Sequence, residues 1–236
     1  RLRHCHPRMN TNVPHDLDPA DCLRSPEKIS LPDPRMGPGA HALNRLVGHH
    51  QAMSTLVLGA SVPEEIRIHF ETAKNLFLYS WCVYRFYMVA EQYVLTTLEF
   101  SLRSKFIAVG LLNPDDENIP GFKHMLRVAQ REDLISNARF TPREDAAWKL
   151  AHQRHSIDMI KKMEELGLNE MTYDPSDIRP TEEDLAIDWL GRIADSLPDI
   201  RNMHAHGTSN LYPTVLTTFV VVHNIIQQLF KCDDPQ

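Results

Sequence analysis

The sequence has few cysteines, and none of them is placed as a structural metal site would require. They are scattered along the 236 residues without any C-x-x-C pair, as Cys5, Cys22, Cys82 and Cys232. A zinc site or a disulfide framework is therefore not predicted, and reduced thiols in the cytoplasm are expected. His4-Cys5-His6 contains soft metal ligands, but without a second cluster this tripeptide is interpreted as a polar terminus.

The sequence also lacks a long apolar run and an excess of positive charge. Its most apolar stretch, residues 76–90, is interrupted by Arg85 and is too short to span a bilayer. We therefore expect no membrane partner, and no signal peptide is recognised. The net charge of −6 argues against a protein that coats nucleic acid by bulk electrostatics, although a small basic site remains compatible with it.

A third absence is that of period-two alternation, the pattern of half-buried β-strands. Apolar residues make up 42% of the chain and charged residues 24%, as in ordinary globular proteins. We therefore predict an all-α helical bundle over residues 41–236, preceded by an extended arm over residues 1–40. The arm is predicted from its recurring prolines, Pro7, Pro14, Pro19, Pro26, Pro32, Pro34 and Pro38.

Helical spacing of apolar residues predicts the first half of the bundle. A first helix is expected over 41–58, and the pattern over 63–109 fits either one long helix or two helices with a tight junction. Its many aromatic residues could stack on nucleic-acid bases. They are more typical of a helix that is central to a bundle or to a dimer interface. A shorter helix is expected over 122–135.

Helix-capping signals predict the helices of the second half of the bundle. Thr141-Pro142-Arg143-Glu144 reads as a capping box whose helix ends at Gly167, and Thr181 opens a further helix through Ile193. Ser196-Leu197-Pro198-Asp199 then predicts the start of another, short helix. A last apolar helix is expected over 214–230.

The short helix carries the most chemically distinctive stretch of the chain, Arg201-Asn202-Met203-His204-Ala205-His206-Gly207. Arg201 and His206 have the spacing R-x-x-x-x-H. On a regular helix, residues five apart point about 140° away from each other. The two side chains are therefore expected to converge only if the helix ends at His206 or if two copies of the motif meet across a dimer.

This motif, with its following glycine and a long apolar C-terminal helix, resembles the hallmark of the HEPN superfamily of small all-α domains. The resemblance is best over residues 63–231. It implies a metal-independent endoribonuclease, of the kind that acts as a toxin or a phage-defence effector, with RNA as substrate and no cofactor. It also implies a homodimer with a composite site, and an antitoxin or other partner protein.

The residue chemistry suits cleavage of RNA by the ribose 2′-hydroxyl. His206 is the expected proton-transfer group, Arg201 the permanent cation for the phosphate, and Asn202 a group that orients either one. His204 is a possible accessory that is more simply placed facing solvent. Glu91 is a second accessory candidate, eight residues before Glu99 and so on the same helix face.

Two alternatives remain open at this point. In the first, Arg201 caps Asp199 or Asp195, His206 packs against the final helix, and the motif is purely structural. In the second, the chain has the HEPN-like fold but binds nucleotide, RNA or a protein partner without turnover, since a fold alone does not establish an activity. Glu91 and Glu99 are paired carboxylates that could hold a metal or do acid-base work, but on a surface helix both are expected to be solvated or paired with Arg103.

Overall fold

The computed structural model describes residues 17–37, 40–115, 118–207, 212 and 215–231. These residues form helices and turns and contain no strand, which confirms the all-α prediction. His4-Cys5-His6 lies outside the described residues. The helices are α1 (Ala40–Ser54), α2 (Glu64–Tyr79), α3 (Phe86–Ala108), α4 (Phe122–Arg131), α5 (Pro142–Leu166), α6 (Glu182–Leu185), α7 (Trp189–Ala205) and α8 (Leu216–Leu229).

Helix α3 is the centre of the bundle. It packs against α2, α4, α7 and α8, and about half of its residues are buried. Ala90, Val94, Leu95 and Leu98 are fully enclosed. Within the described residues, no helix has the length and apolar content that a bilayer span requires.

The aromatic residues around the start of α3 belong mainly to the core. Phe77 and Tyr87 are 1% exposed and contact each other edge to face, while Trp81 is also buried. Tyr79 is an exception, since it lies exposed on the surface. The burial of these rings agrees with the prediction of a central helix.

The pattern over 63–109 forms two helices, although it contains no proline or glycine before Gly110. The break lies at the buried Ser80, whose hydroxyl donates to the carbonyl of Phe77. Asp33 of the arm stabilises the break from outside: its N–H donates to the Trp81 carbonyl at 2.8 Å, and its carboxylate accepts from the Tyr84 N–H at 2.9 Å. Asp33 is about fifty residues away in the sequence. The local pattern over 63–109 therefore did not distinguish one long helix from two helices.

Residues 17–37 of the arm pack against the α2–α3 junction through ion pairs. Arg35 binds Asp33 at 2.8 Å and Asp21 at 3.0 Å, and Arg85 binds Asp21 at 2.8 Å. Burial raises the pKa of Asp33, but hydrogen bonds from Arg35 and from backbone N–H groups outweigh this effect and lower that pKa overall. The described part of the arm is therefore tied to the bundle by charge-assisted hydrogen bonds.

The prediction of a separate short helix from Ser196 is wrong. Helix α7 runs unbroken through Pro198, and the break lies instead at 186–188, where the Asp188 carboxylate accepts the N–H of Gly191 at 2.9 Å. A proline inside a helix removes one hydrogen bond and usually disturbs the turn before it. Pro198 is one of the buried residues of this helix, and its burial offsets the missing bond.

Two other capping signals have different outcomes. Thr181 forms the expected helix start as a full capping box with Asp184, whereas Thr141 makes no capping bond and its hydroxyl accepts from Asn224 of α8 at 2.8 Å. The capping box predicted at Thr141 is therefore wrong, because a tertiary partner takes the hydroxyl. Gly167 ends α5 in the left-handed region at φ 64°, as predicted.

Candidate functional site

The stretch from Arg201 to Gly207 lies where α7 crosses α3. His204 contacts Glu91, while Arg201, three residues earlier, contacts Glu99, eight residues later. The two helices therefore run in opposite directions, and α3 binds the motif helix at two carboxylates about 12 Å apart along its axis. These carboxylates are the two that the sequence places on one face of the helix.

Arg201 belongs to a cluster that we call the Arg201 cluster, formed by Glu99, Arg103, Arg201 and Asn202. The Glu99 carboxylate accepts from Arg201 at 3.1 Å through one oxygen and from Arg103 at 2.7 Å through the other. Arg201 also donates to the side-chain oxygen of Asn202 at 3.3 Å. Two cations share one anion, so the cluster has a net positive charge of one.

The surroundings of Arg201 leave part of its guanidinium available. The side chain is 37% exposed, and only two of its nitrogens are used in the bonds to Glu99 and Asn202. Arg103 is paired with Glu99 as expected, whereas the same expectation is wrong for Glu91, which is buried and does not bind Arg103. Asp195 binds Lys123 and Arg127, and Arg201 pairs with Glu99 instead of capping Asp195 or Asp199.

His206 lies at the end of α7 and is exposed. Its backbone N–H donates to the carbonyl of Asn202 at 2.9 Å, and Gly207 follows in the left-handed region at φ 84°. Asn202 and His206 are four residues apart and so lie on the same face of the helix. The exposure of His206 does not fit the alternative in which this ring packs against the final helix.

The structure brings Arg201 and Asn202 together, and it places His206 one turn beyond Asn202. No hydrogen bond joins Arg201 to His206 within the described residues. His206 still has nearly helical backbone angles, φ −88° and ψ −1°, so the end of the helix does not turn its side chain toward Arg201. Within one chain, the two groups therefore do not act as a hydrogen-bonded pair.

His204 is not on the solvent side, and the expectation that it faces solvent is wrong. Its side chain is 2% exposed, and its Nε2 lies 2.8 Å from the Glu91 carboxylate. It is two residues from His206, which on a helix corresponds to about 200°. Exposure of His206 and burial of His204 therefore follow from the same helix orientation.

Glu91 forms a second cluster, which we call the Glu91 cluster, with His204, Tyr212 and Thr218. One carboxylate oxygen accepts from Tyr212 at 3.1 Å and contacts His204, and the other accepts from Thr218 at 2.6 Å. Burial, the charge of Glu91 and the hydrogen bond to it together raise the pKa of Tyr212 to about 12. The tyrosine is thus a hydroxyl donor at neutral pH.

Sequence reasoning missed Tyr212 and Thr218. The available signal was Glu91 itself, a carboxylate in an otherwise apolar stretch of a central helix, which requires buried donors nearby. Nothing local identified which residues would supply them, because Tyr212 and Thr218 are more than 120 positions away along the chain.

Other observations bear on how the site is classified. Among the described residues, no group of three or more His, Cys, Asp or Glu side chains is close enough to hold a metal ion. Comparison of the chain with models of protein families, with curated proteins and with solved structures gives no match.

Proposed function

We propose that this protein is a metal-independent endoribonuclease of HEPN type that acts as a homodimer. The observation that carries the proposal is the exposed strip at the end of α7. There, Arg201 is fixed on Glu99, donates to Asn202 and keeps free N–H groups, while His206 is exposed one turn further on. The strip presents a cation and a proton-transfer group on different sides of the helix end, and two copies of the strip would offer both groups to one ligand.

The proposed reaction is attack of a ribose 2′-hydroxyl on the adjacent phosphodiester. His206 takes the proton of the attacking hydroxyl or gives one to the leaving 5′-oxygen, since an imidazole exchanges protons near neutral pH. Arg201 donates to the phosphate oxygens, on which negative charge increases as the bond to the 2′-oxygen forms. The products carry a 2′,3′-cyclic phosphate and a free 5′-hydroxyl.

A second copy completes the site in this proposal. Within one chain, Arg201 and His206 point to different sides of the helix end, so one phosphate does not contact both groups. A twofold axis at the strip would bring Arg201 of one copy near His206 of the other, because a twofold interface is formed by the same patch on both chains. The HEPN-like motif supports this arrangement.

The biological setting that follows is control of RNA in the cell that makes the protein. A cytoplasmic ribonuclease of this kind would act as a toxin or a phage-defence effector, and an antitoxin or other partner protein would restrain it. The net charge of −6 fits a substrate contact that is confined to a small site.

The test is cleavage of total cellular RNA by the purified protein in EDTA. We expect fragments from the parent and at least about a hundredfold slower cleavage by Arg201→Ala and by His206→Ala, given the usual magnitude of such groups. Arg192→Ala and His124→Ala are the matched controls, because these residues are exposed on α7 and α4 and neither is a hydrogen-bond partner of Arg201. Both should cleave at the parent rate.

Two results would reject this proposal. One is intact RNA after incubation with a folded parent protein, which would favour binding without turnover. The other is equal cleavage by the parent and both motif variants, which would attribute the activity to a different site or to a contaminant.

A further inference from the structure

We propose that Lys123 and Arg127 on α4 bind backbone phosphates of the RNA strand, next to the phosphate that Arg201 contacts. The inference rests on the proposed function, because it extends the same site along α7 and says where the substrate strand lies. Neither residue takes part in the chemistry. Both hold the strand through their charge.

Helix α4 differs from the rest of this acidic chain in its charge. Its ten residues include Lys123, Arg127 and Arg131 and no acidic residue, whereas the chain as a whole has a net charge of −6. These three cations are exposed, while Phe122 and Leu126 belong to the buried side of the helix. The only formal charges that α4 presents to solvent are therefore positive.

An excess of positive charge remains where α4 is paired with α7. The Asp195 carboxylate accepts from Lys123 at 2.9 Å through one oxygen and from Arg127 at 2.8 Å through the other. Hydrogen bonds from Lys123 and then from Arg127 lower the pKa of Asp195, so its carboxylate is ionised at neutral pH. Two cations share one anion, and these three side chains have a net charge of plus one, as the Arg201 cluster has.

The position of Asp195 on α7 places the two cations beside the proposed site. Asp195 precedes Arg201 by six residues and His206 by eleven, which correspond to about 9 Å and about 16 Å along the helix axis. Asp195 and His206 lie on the same exposed face, because eleven residues make close to three whole turns. A strand with one phosphate at Arg201 therefore reaches Lys123 and Arg127 within a few nucleotides, on the side away from His206.

Other charges near this surface are outweighed or already engaged. Asp199 is an exposed anion on the same face of α7 and weakens the attraction for phosphate. Arg131 is paired with Glu132 at 3.0 Å, and the Arg192 guanidinium lies 5.4 Å from the centre of the Trp189 ring, so neither arginine is assigned to this surface. The two clusters on α7, at plus one each, outweigh the single negative charge of Asp199.

A purely stabilising role explains these ion pairs less well. The side chains of Lys123, Arg127 and Asp195 are 61%, 45% and 53% exposed, and ion pairs so exposed contribute little to stability. The buried side of α4 already packs the helix against α7. Exposed Lys and Arg side chains are, in contrast, the groups that bind nucleic-acid phosphates.

The experiment measures binding of a single-stranded 2′-O-methyl RNA oligonucleotide, which has no free 2′-hydroxyl and so is not cleaved by the proposed reaction. Fluorescence anisotropy gives Kd over a series of salt concentrations. Lys123→Ala/Arg127→Ala removes the two cations, and Asp195→Asn removes the anion that competes with phosphate for them. Lys161→Ala/Lys162→Ala is the matched control, because it removes the same charge from the exposed surface of α5.

We expect Lys123→Ala/Arg127→Ala to raise Kd about tenfold and to reduce the slope of log Kd against log salt by about 1.4, since each phosphate contact on a single strand contributes about 0.7. Asp195→Asn should lower Kd about threefold, and the control should stay within about twofold of the parent. Equal Kd values and slopes in the two double variants overturn the inference, as does an unchanged or raised Kd in Asp195→Asn.

The outcomes also separate this inference from the proposed function. If the parent protein cleaves RNA while Lys123→Ala/Arg127→Ala binds as the control does, only the inference fails. If the parent cleaves no RNA but all three variants bind as expected, the surface stands and the proposed reaction fails. If the parent does not bind the oligonucleotide, the inference fails whatever the cleavage result.

Discussion

Arg201 is bound by acceptors of two kinds, the carboxylate of Glu99 and the amide oxygen of Asn202, and each uses a different nitrogen of the guanidinium. This division depends on the planar fork of arginine, which has five N–H groups in fixed directions. A point charge on a flexible stem cannot hold Glu99 and Asn202 and also contact a phosphate. The residue type therefore matters as much as its charge.

We accordingly predict that Arg201→Lys is nearly as damaging as Arg201→Ala, with cleavage slowed about a hundredfold despite the retained charge. The measurement is the initial rate of RNA cleavage in EDTA. Arg192→Lys, on the exposed surface of the same helix, should cleave at the parent rate. Full activity of Arg201→Lys would mean that charge alone is sufficient at this position.

At the scale of the elements, the site depends on where α7 ends. Gly207 has φ 84°, a conformation that costs most residues free energy, and an added Cβ there would meet no atom within 4 Å. Gly48 also has open space around it, but it lies inside α1 with ordinary helical geometry. The two glycines differ in backbone conformation and not in crowding.

We predict opposite effects of the same substitution at these glycines. Gly207→Ala should lower the free energy of unfolding by about 1 kcal/mol because of the left-handed backbone. Gly48→Ala should raise it by about 0.5 to 1 kcal/mol, since alanine favours the helix. Chemical denaturation followed by circular dichroism gives both values, and a destabilising Gly48→Ala would contradict this interpretation.

The elements also show how far local sequence determines this fold and site. Apolar periodicity and the stop at Gly167 were enough to predict the all-α class, because they act within a few residues. Pro198 led to the wrong prediction of a helix start, because its tolerance inside α7 depends on tertiary packing. The break at Ser80 was not predicted, because it depends on Asp33 in the arm. The spacing of Arg201 and His206 in the sequence was enough to identify the motif. The burial of His204 could not be predicted in this way, because it depends on where α3 packs against α7.

At the scale of the whole molecule, the arm is joined to the bundle by charges that titrate. The hydrogen bond from Arg85 lowers the pKa of Asp21 to about 2, and the bond from Arg35 adds to this effect against the opposing effect of burial. An aspartate in an unfolded chain titrates near 3.9. The carboxylate therefore stabilises the fold above about pH 4, and this contribution is lost as the pH falls through about 2.

We predict that Asp21→Asn lowers the melting temperature at pH 6 by a few degrees, corresponding to at most about 1 kcal/mol for partly exposed ion pairs. The difference from the parent should shrink as the pH falls from about 4 towards about 2. Thermal unfolding across this pH series is the measurement, with the exposed Asp115→Asn as the matched control. A difference that grows at low pH would contradict the assigned ion pairs.

The proposed ribonuclease activity also belongs to the whole molecule, because a composite site that used a ribose 2′-hydroxyl would cleave RNA and leave DNA intact at one bond. The most direct measurement uses an RNA oligonucleotide with a mapped cleavage position, and the same oligonucleotide with a single 2′-deoxy residue 5′ of that bond. We predict that the parent protein cleaves the all-ribose strand in EDTA, forms a 2′,3′-cyclic phosphate and leaves that bond intact in the substituted strand. Cleavage of the substituted strand at the same bond, or cleavage of neither strand, would contradict the proposed ribonuclease mechanism.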